Sequence, residues 1–210
     1  MCFSAEASFT AGAILTAGGV ATVIRIKSKK EIPLALLPLL FGIQQIIEGI
    51  QWVSAKPSCL SGTMAYAFLA FAFVLWPTYV PASVLLVEKN KDRRTMIIGC
   101  LVIGIMTSLY LLIALIKNPL TVTAETGHIA YLINLPWSWG IFPYWFATAG
   151  SCIFSRYKLI TWLGATVTLG VIYAAMSYGN AFPSVWCFFA AVASLLIYFH
   201  FRTKYPETKP

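Results

Sequence analysis

The chain has 210 residues, of which 59% are hydrophobic and 10% are charged, with a net charge of +8 and a mean hydropathy of +0.78. This composition lies outside the range of soluble domains and excludes that class. Nucleic acid is also excluded as a partner, because no basic run is interleaved with aromatic residues in a binding pattern.

Seven apolar stretches follow one another along the chain, each close to the roughly 20 residues that a membrane-crossing helix needs. The stretches are continuously apolar rather than alternating, which favours helices over a barrel. The sequence therefore predicts an all-α polytopic helix bundle, with residues 1–210 forming a single seven-helix transmembrane domain. The predicted spans are 7–26, 32–53, 63–87, 95–116, 138–155, 159–178 and 183–201.

The lysine and arginine residues predict the orientation of these spans. Of the 15, 13 follow the first, third, fifth or seventh span, and the other two are Lys56 and Lys117. By the positive-inside rule, the N-terminus lies outside and the C-terminus in the cytoplasm. The basic loops are then expected to face anionic lipid headgroups at the cytoplasmic surface of the bilayer.

The second span contains the deepest acid of the chain, in the stretch "FGIQQIIEGIQWV". Gln44, Glu48 and Gln51 have the i, i+4, i+7 spacing that places side chains on one helix face, and Gln45 and Trp52 flank them. A carboxyl group in a membrane helix costs about 2.5–3.5 kcal/mol on insertion scales, so it should face the bundle interior. The stripe predicts either a ligand site or hydrogen-bonded contacts that only hold helices together.

The third span contains the stretch "LWPTYVP", in which Trp76 is followed by Pro77 and Pro81. Prolines inside a helix remove backbone hydrogen bonds, so a kink is expected there. Similar alanine- and phenylalanine-rich segments, 66–73 and 186–193, lie near the starts of the third and seventh spans. Their similarity predicts that spans one to three and five to seven form a parallel repeat around the fourth span. A parallel repeat of this kind is typical of small transporters.

Several further polar groups are predicted on the outer side with Glu48. Thiolate, imidazole and carboxylate groups together suit a four-coordinate zinc or copper ion, although no two of them have the short spacing of a metal motif. These candidate metal or redox residues are Cys2, Glu6, His128 and Cys187.

The outer cysteines have other readings as well. Cys2, Cys59 and Cys187 can supply one disulfide if the outer compartment is oxidising. For Cys2 and Cys187, a disulfide, a buried packing role and a functional thiol all stay open. Cys100 and Cys152 lie inside the fourth and fifth spans, where small apolar packing is the simplest prediction.

Four segments resemble a bacterial family of small polytopic membrane proteins whose function is unknown. They are "MCFSAEASF", "LPLLFGIQQIIEGIQW", "GHIAYLINLP" and "SVWCFFAAVASLLIYFHF". The resemblance implies a seven-span protein of the bacterial inner membrane and brings no activity with it.

Three functional hypotheses follow. The first is an outward-facing binding or transport module for a small molecule or cation, with Glu48 at the floor of a pocket walled by Trp52 and Trp186. The second is an intramembrane enzyme with Glu48 or His128 as base and Cys2 or Cys187 as nucleophile or metal ligand. The third is a structural or sensory subunit.

Overall fold

The computed structural model of the chain describes residues 4–54, 59–125, 128–133, 141–177 and 182–205. Within these ranges the chain forms seven helices, three of them interrupted, and one two-stranded hairpin. The regular elements are α1 (Ala5–Val23), α2 (Ile32–Ala35), α3 (Leu37–Val53), α4 (Cys59–Leu69), α5 (Trp76–Val87), α6 (Lys91–Lys117), β1 (Thr121–Glu125), β2 (His128–Leu132), α7 (Ile141–Trp145), α8 (Ser151–Ile153), α9 (Lys158–Ser177) and α10 (Phe182–Lys204).

The interruptions take two forms. α2 and α3 are separated by a turn at Leu36, and the 3-10 turn Lys29–Glu31 precedes them. π-helical segments join α4 to α5 at Ala70–Leu75 and α7 to α8 at Phe146–Gly150. Such π segments are rare and frequently lie beside functional sites.

Five of the described helices are long and apolar enough to cross a membrane. α1 has 19 residues but is rich in glycine, alanine and threonine, and it is not among the five. The helix predicted at 138–155 is described from 141 to 153, which also leaves it short of that length. The five are Lys29–Val53, Gly62–Val87, Lys91–Lys117, Lys158–Ser177 and Pro183–Lys204.

The hairpin corrects the all-α prediction, which placed no strand between the predicted spans 95–116 and 138–155. β1 and β2 pair antiparallel, with Thr121 opposite Leu132 and Glu125 opposite His128. β-branched and aromatic residues in both strands favour this extended conformation. Tyr131 is buried and stacks on Phe68 with 4.9 Å between ring centroids, so the hairpin packs against the helix that contains α4.

Small residues allow α1 and α3 to pack at close range. A Cβ atom on Gly12 would lie 2.8 Å from the Ile46 side chain and 3.2 Å from the carbonyl oxygen of Gly42. Close backbone approach through small residues is the usual basis of helix association in membranes. α3 also contacts α10, which places both helices in the centre of the bundle.

The third predicted span, where a kink is expected at Pro77 and Pro81, contains the π segment Ala70–Leu75, which ends directly before Trp76. Backbone carbonyls in this segment are satisfied by side chains of other helices, since Tyr144 donates to the carbonyl of Ala72 and Ser108 to that of Val74 at 2.8 Å. The irregular backbone therefore has its hydrogen bonds restored inside the bundle.

The basic loops meet at one end of the bundle. Glu31 accepts hydrogen bonds from Lys204 at 2.6 Å and Tyr205 at 2.8 Å, which joins the loop before α2 to the end of α10. Arg93 at the start of α6 donates to the carbonyl of Phe154 before α9 at 3.0 Å. The loops that follow the first, third, fifth and seventh predicted spans are therefore held together by direct contacts.

Glu88, between α5 and α6, is buried at this end and accepts four hydrogen bonds. The donors are the amides of Lys89, Asn90 and Arg156 and the hydroxyl of Ser155. Burial raises the pKa of the carboxyl group, but the three amides and the hydroxyl outweigh it and hold the pKa below its ordinary value of 4.5. Ionised Glu88 therefore stabilises the loop between α8 and α9.

Replacing Glu88 with glutamine is expected to lower the midpoint of thermal unfolding at neutral pH, with a difference from the wild type that shrinks below pH 4.5. Because the folded pKa is depressed, the stabilisation is present above the unfolded pKa and is lost as pH falls through the folded one. Thermal unfolding in detergent across the acidic range measures it. Asp92→Asn, at an exposed position, is the control, and a difference that does not change with pH would contradict the prediction.

Candidate functional site

The stripe predicted on α3 lies in the centre of the bundle. Gln44, Gln45 and Glu48 are fully buried and Gln51 is 5% exposed. α3 carries these side chains towards α4 and α10, which pack against it. We call this group the polar layer, and it consists of Gln44, Gln45, Glu48 and Gln51 of α3 with Ser184 and Cys187 of α10.

Glu48 lies at the centre of the polar layer. The hydroxyl of Ser184 donates to Glu48 Oε1, and the Gln45 amide donates to Glu48 Oε2 at 3.4 Å. Ser184 is itself fully buried. The sequence analysis missed Ser184, although its position one helical turn before Cys187 places both on one face of α10.

Gln44 connects three helices within the layer. Its carbonyl oxygen accepts from the indole of Trp76 at 2.8 Å, and its amide donates to the sulfur of Cys187 at 3.6 Å. Trp76 also stacks on Phe41 with 3.9 Å between ring centroids. Trp76, the first residue after the π segment Ala70–Leu75, therefore also fixes the amide orientation of Gln44. The sequence analysis did not predict this role.

Gln51 closes the layer on the side of the hairpin. Its amide donates to the carbonyl of Met64 at 3.4 Å, and its carbonyl oxygen accepts from the hydroxyl of Tyr131 at 3.2 Å. β2 thus lies directly over the polar layer.

Hydrogen-bonding capacity remains unused on Gln45, which contacts Glu48, and on buried atoms of two other described side chains, in α1 and α3. Among the residues that the structure describes, the buried Gln45 Oε1, Ser8 Oγ and Trp52 Nε1 have no hydrogen-bond partner. Ser8 lies on the buried face of α1, one residue before Phe9, which packs against Gly49. A buried polar group without a partner costs about 1–3 kcal/mol, so such groups indicate where water, an ion or a ligand is held.

A small cavity of about 40 Å³ lies beside the layer. Its walls are largely apolar and aromatic, and they include Trp76, Tyr144, Trp186 and Cys187. Trp186, a predicted wall of the site, contacts the Tyr144 ring with 4.6 Å between centroids. The cavity exceeds the space that one water molecule needs.

The candidate metal or redox residues are not brought together by the described part of the chain. Cys2 and the side chain of His128 lie outside the described residues. Glu6 is exposed, whereas Cys187 is buried against Gln44. No group of three His, Cys, Asp or Glu side chains within the described ranges can hold a metal ion.

Cysteines 100, 152 and 187 are free, buried thiols. For Cys187 the disulfide reading therefore does not fit, and packing or a functional thiol stays open. The described ranges leave out Cys2 and the side chain of Cys59.

Comparison with known proteins gives a family but no activity. No curated protein and no solved structure matches the chain. A family model described as a family of unknown function, DUF6629, matches residues 1–209. Several apolar helices are consistent with an integral membrane protein. Because the match covers nearly the whole chain, the protein belongs to this family of unknown function.

Proposed function

We propose that the protein crosses the inner membrane of a bacterium seven times, with its N-terminus outside, and binds a small cationic species at Glu48 as part of a transport module. The contacts of Glu31 with Lys204 and of Arg93 with Phe154 support this orientation, because they gather the basic loops at one end. That end faces the cytoplasm and its anionic lipid headgroups under the positive-inside rule.

The observation that carries the proposal is the free acceptor beside Glu48. Gln45 donates its amide to the Glu48 carboxylate, and its own buried carbonyl oxygen has no partner within the described residues. The hydroxyl of Ser184 adds a third kind of oxygen group, beside the Glu48 carboxylate and the Gln45 carbonyl. A set of carboxylate, amide and hydroxyl oxygens suits a hard cation or an ammonium group.

The location favours binding over a purely structural role for the layer. Aromatic rings of Trp76, Tyr144 and Trp186 border the adjoining cavity, and ring faces attract cations. The hydrogen bond from Tyr131 to Gln51 closes the layer towards the hairpin. Exchange with the outer side then requires that the hairpin moves away from Gln51.

Sodium, potassium or methylammonium ions are expected to raise the midpoint of thermal unfolding of the wild-type protein in detergent. Binding stabilises the folded state by about 2.7 kcal/mol when the ligand is present at about one hundred times its Kd. Glu48→Gln should abolish the shift because it removes the charge with little change in size. Asp92→Asn removes an exposed charge at the basic end and should respond like the wild type.

The absence of a shift with any of these cations in the wild type would contradict the proposal, as would an equal shift in folded Glu48→Gln. Gln45→Met is the second variant. It keeps the length of the side chain and removes the free acceptor, so it should weaken the response even if Glu48→Gln does not fold.

A further inference from the structure

A cleft separates α1 from α10 on the outer surface of the bundle. The two helices run in the same direction and are in contact where a Cβ atom on Gly18 would lie 2.9 Å from the Leu195 side chain. Beyond that contact the two helices border an open surface groove of about 550 Å³, a volume within the range of small-ligand pockets. The cleft therefore lies on the surface between the two helices, on the side of that contact nearer the start of α1.

The walls of the cleft are apolar. Ala7, Ala11 and Ile14 line it from α1, and Phe188 and Val192 line it from α10. Ile14 is 55% exposed and Val192 is 47% exposed, so both side chains are open to the surroundings of the bundle. The small side chains of α1 leave the space that a flexible hydrocarbon chain needs.

The charge at the cleft is restricted to one position. Among the described residues that line the cleft, Glu6 is the ionisable one, and it is exposed in the first turn of α1. The basic loops lie at the other end of the bundle, where Arg25 contacts the Tyr198 ring at 5.5 Å. An apolar cleft with an acidic mouth is complementary to an amphiphile whose headgroup ends in an ammonium group.

We propose that this cleft binds one phospholipid with a primary ammonium headgroup, as in phosphatidylethanolamine. The ammonium group pairs with the Glu6 carboxylate, and one acyl chain packs between Ala11 and Val192. A primary ammonium donates hydrogen bonds to a carboxylate, whereas an anionic headgroup is repelled by it. The proposal is independent of cation binding at Glu48, since Glu6 is exposed and Glu48 is fully buried.

Native mass spectrometry with equal amounts of phosphatidylethanolamine and phosphatidylglycerol tests the proposal. The wild type is expected to retain one phosphatidylethanolamine in preference to phosphatidylglycerol. Glu6→Gln should reduce that preference by about five-fold, the upper range for an exposed ion pair. Ala11→Phe should reduce retention of both lipids because its ring fills the cleft.

Val102→Phe provides the matched control, because Val102 is an exposed apolar residue of α6 outside the cleft. It should retain lipid as the wild type does. Val192→Trp blocks the opposite wall and is used if Ala11→Phe does not fold. Equal retention of the two lipids by the wild type, or full retention by a folded variant with a blocked cleft, would overturn the proposal.

Discussion

Replacement of Gly104 by valine is expected to prevent α6 from docking on α5. A Cβ atom on Gly104 would overlap the carbonyl oxygen of Pro77 and lie 2.8 Å from its carbonyl carbon. This neighbour is backbone, which cannot rotate away. Pro81 has no amide hydrogen to donate to the carbonyl oxygen of Pro77. That oxygen can lie close to α6 only because Gly104 has no side chain.

The loss of unfolding free energy in Gly104→Val should exceed the usual cost of overpacking and reach about 3 kcal/mol or more. Thermal unfolding in detergent and the yield of monodisperse protein measure it. Gly99 provides the control on the same helix, because a Cβ atom there would meet nothing within 4 Å. Gly99→Val should therefore unfold like the wild type, and equal effects at both positions would disprove the packing of α6 on Pro77.

Glu31→Ala is expected to have the second largest effect, because one buried carboxylate connects the loop before α2 to the end of α10. The side chain of Glu31 is 6% exposed, and it pairs with Lys204 and Tyr205. Its removal also leaves the amides of Lys27 and Ser28 without their acceptor. Loss of one partner from such a pair should cost about 3 kcal/mol.

Lys204→Met separates the ion pair from the other contacts of Glu31. Its cost should be smaller, because the side chain of Lys204 is 26% exposed and the remaining donors to Glu31 are unchanged. The double variant should lose less than the sum of the single changes, since both remove the same pair. Strictly additive losses of unfolding free energy would show that the pair does not contribute.

Composition and periodicity predict the helices and the inner face of α3 well. The buried positions of Gln44, Glu48 and Gln51 agree with the predicted stripe, because a polar group in an apolar helix has to face other helices. All seven described helices begin and end within four residues of predicted apolar stretches. Such properties depend on local sequence, which is why sequence alone contains them.

The partners of the stripe could not be predicted in the same way. Ser184 is 136 residues from Glu48 along the chain, and Tyr131 is 80 residues from Gln51. No local pattern specifies which serine or tyrosine meets which acid across helices. The hairpin was missed because five-residue strands give a weak signal beside long apolar runs.

The close packing of α1 on α3 has a consequence for biosynthesis. α1 has the length of a membrane span, but Glu6 and its glycines and threonines make it too polar to be grouped with the five most apolar helices. Gly12 fits against Ile46 only once α3 is present. In the proposed seven-span topology, the first helix is therefore expected to leave the translocon together with α3 as a hairpin, so that its insertion depends on a segment that the ribosome makes later.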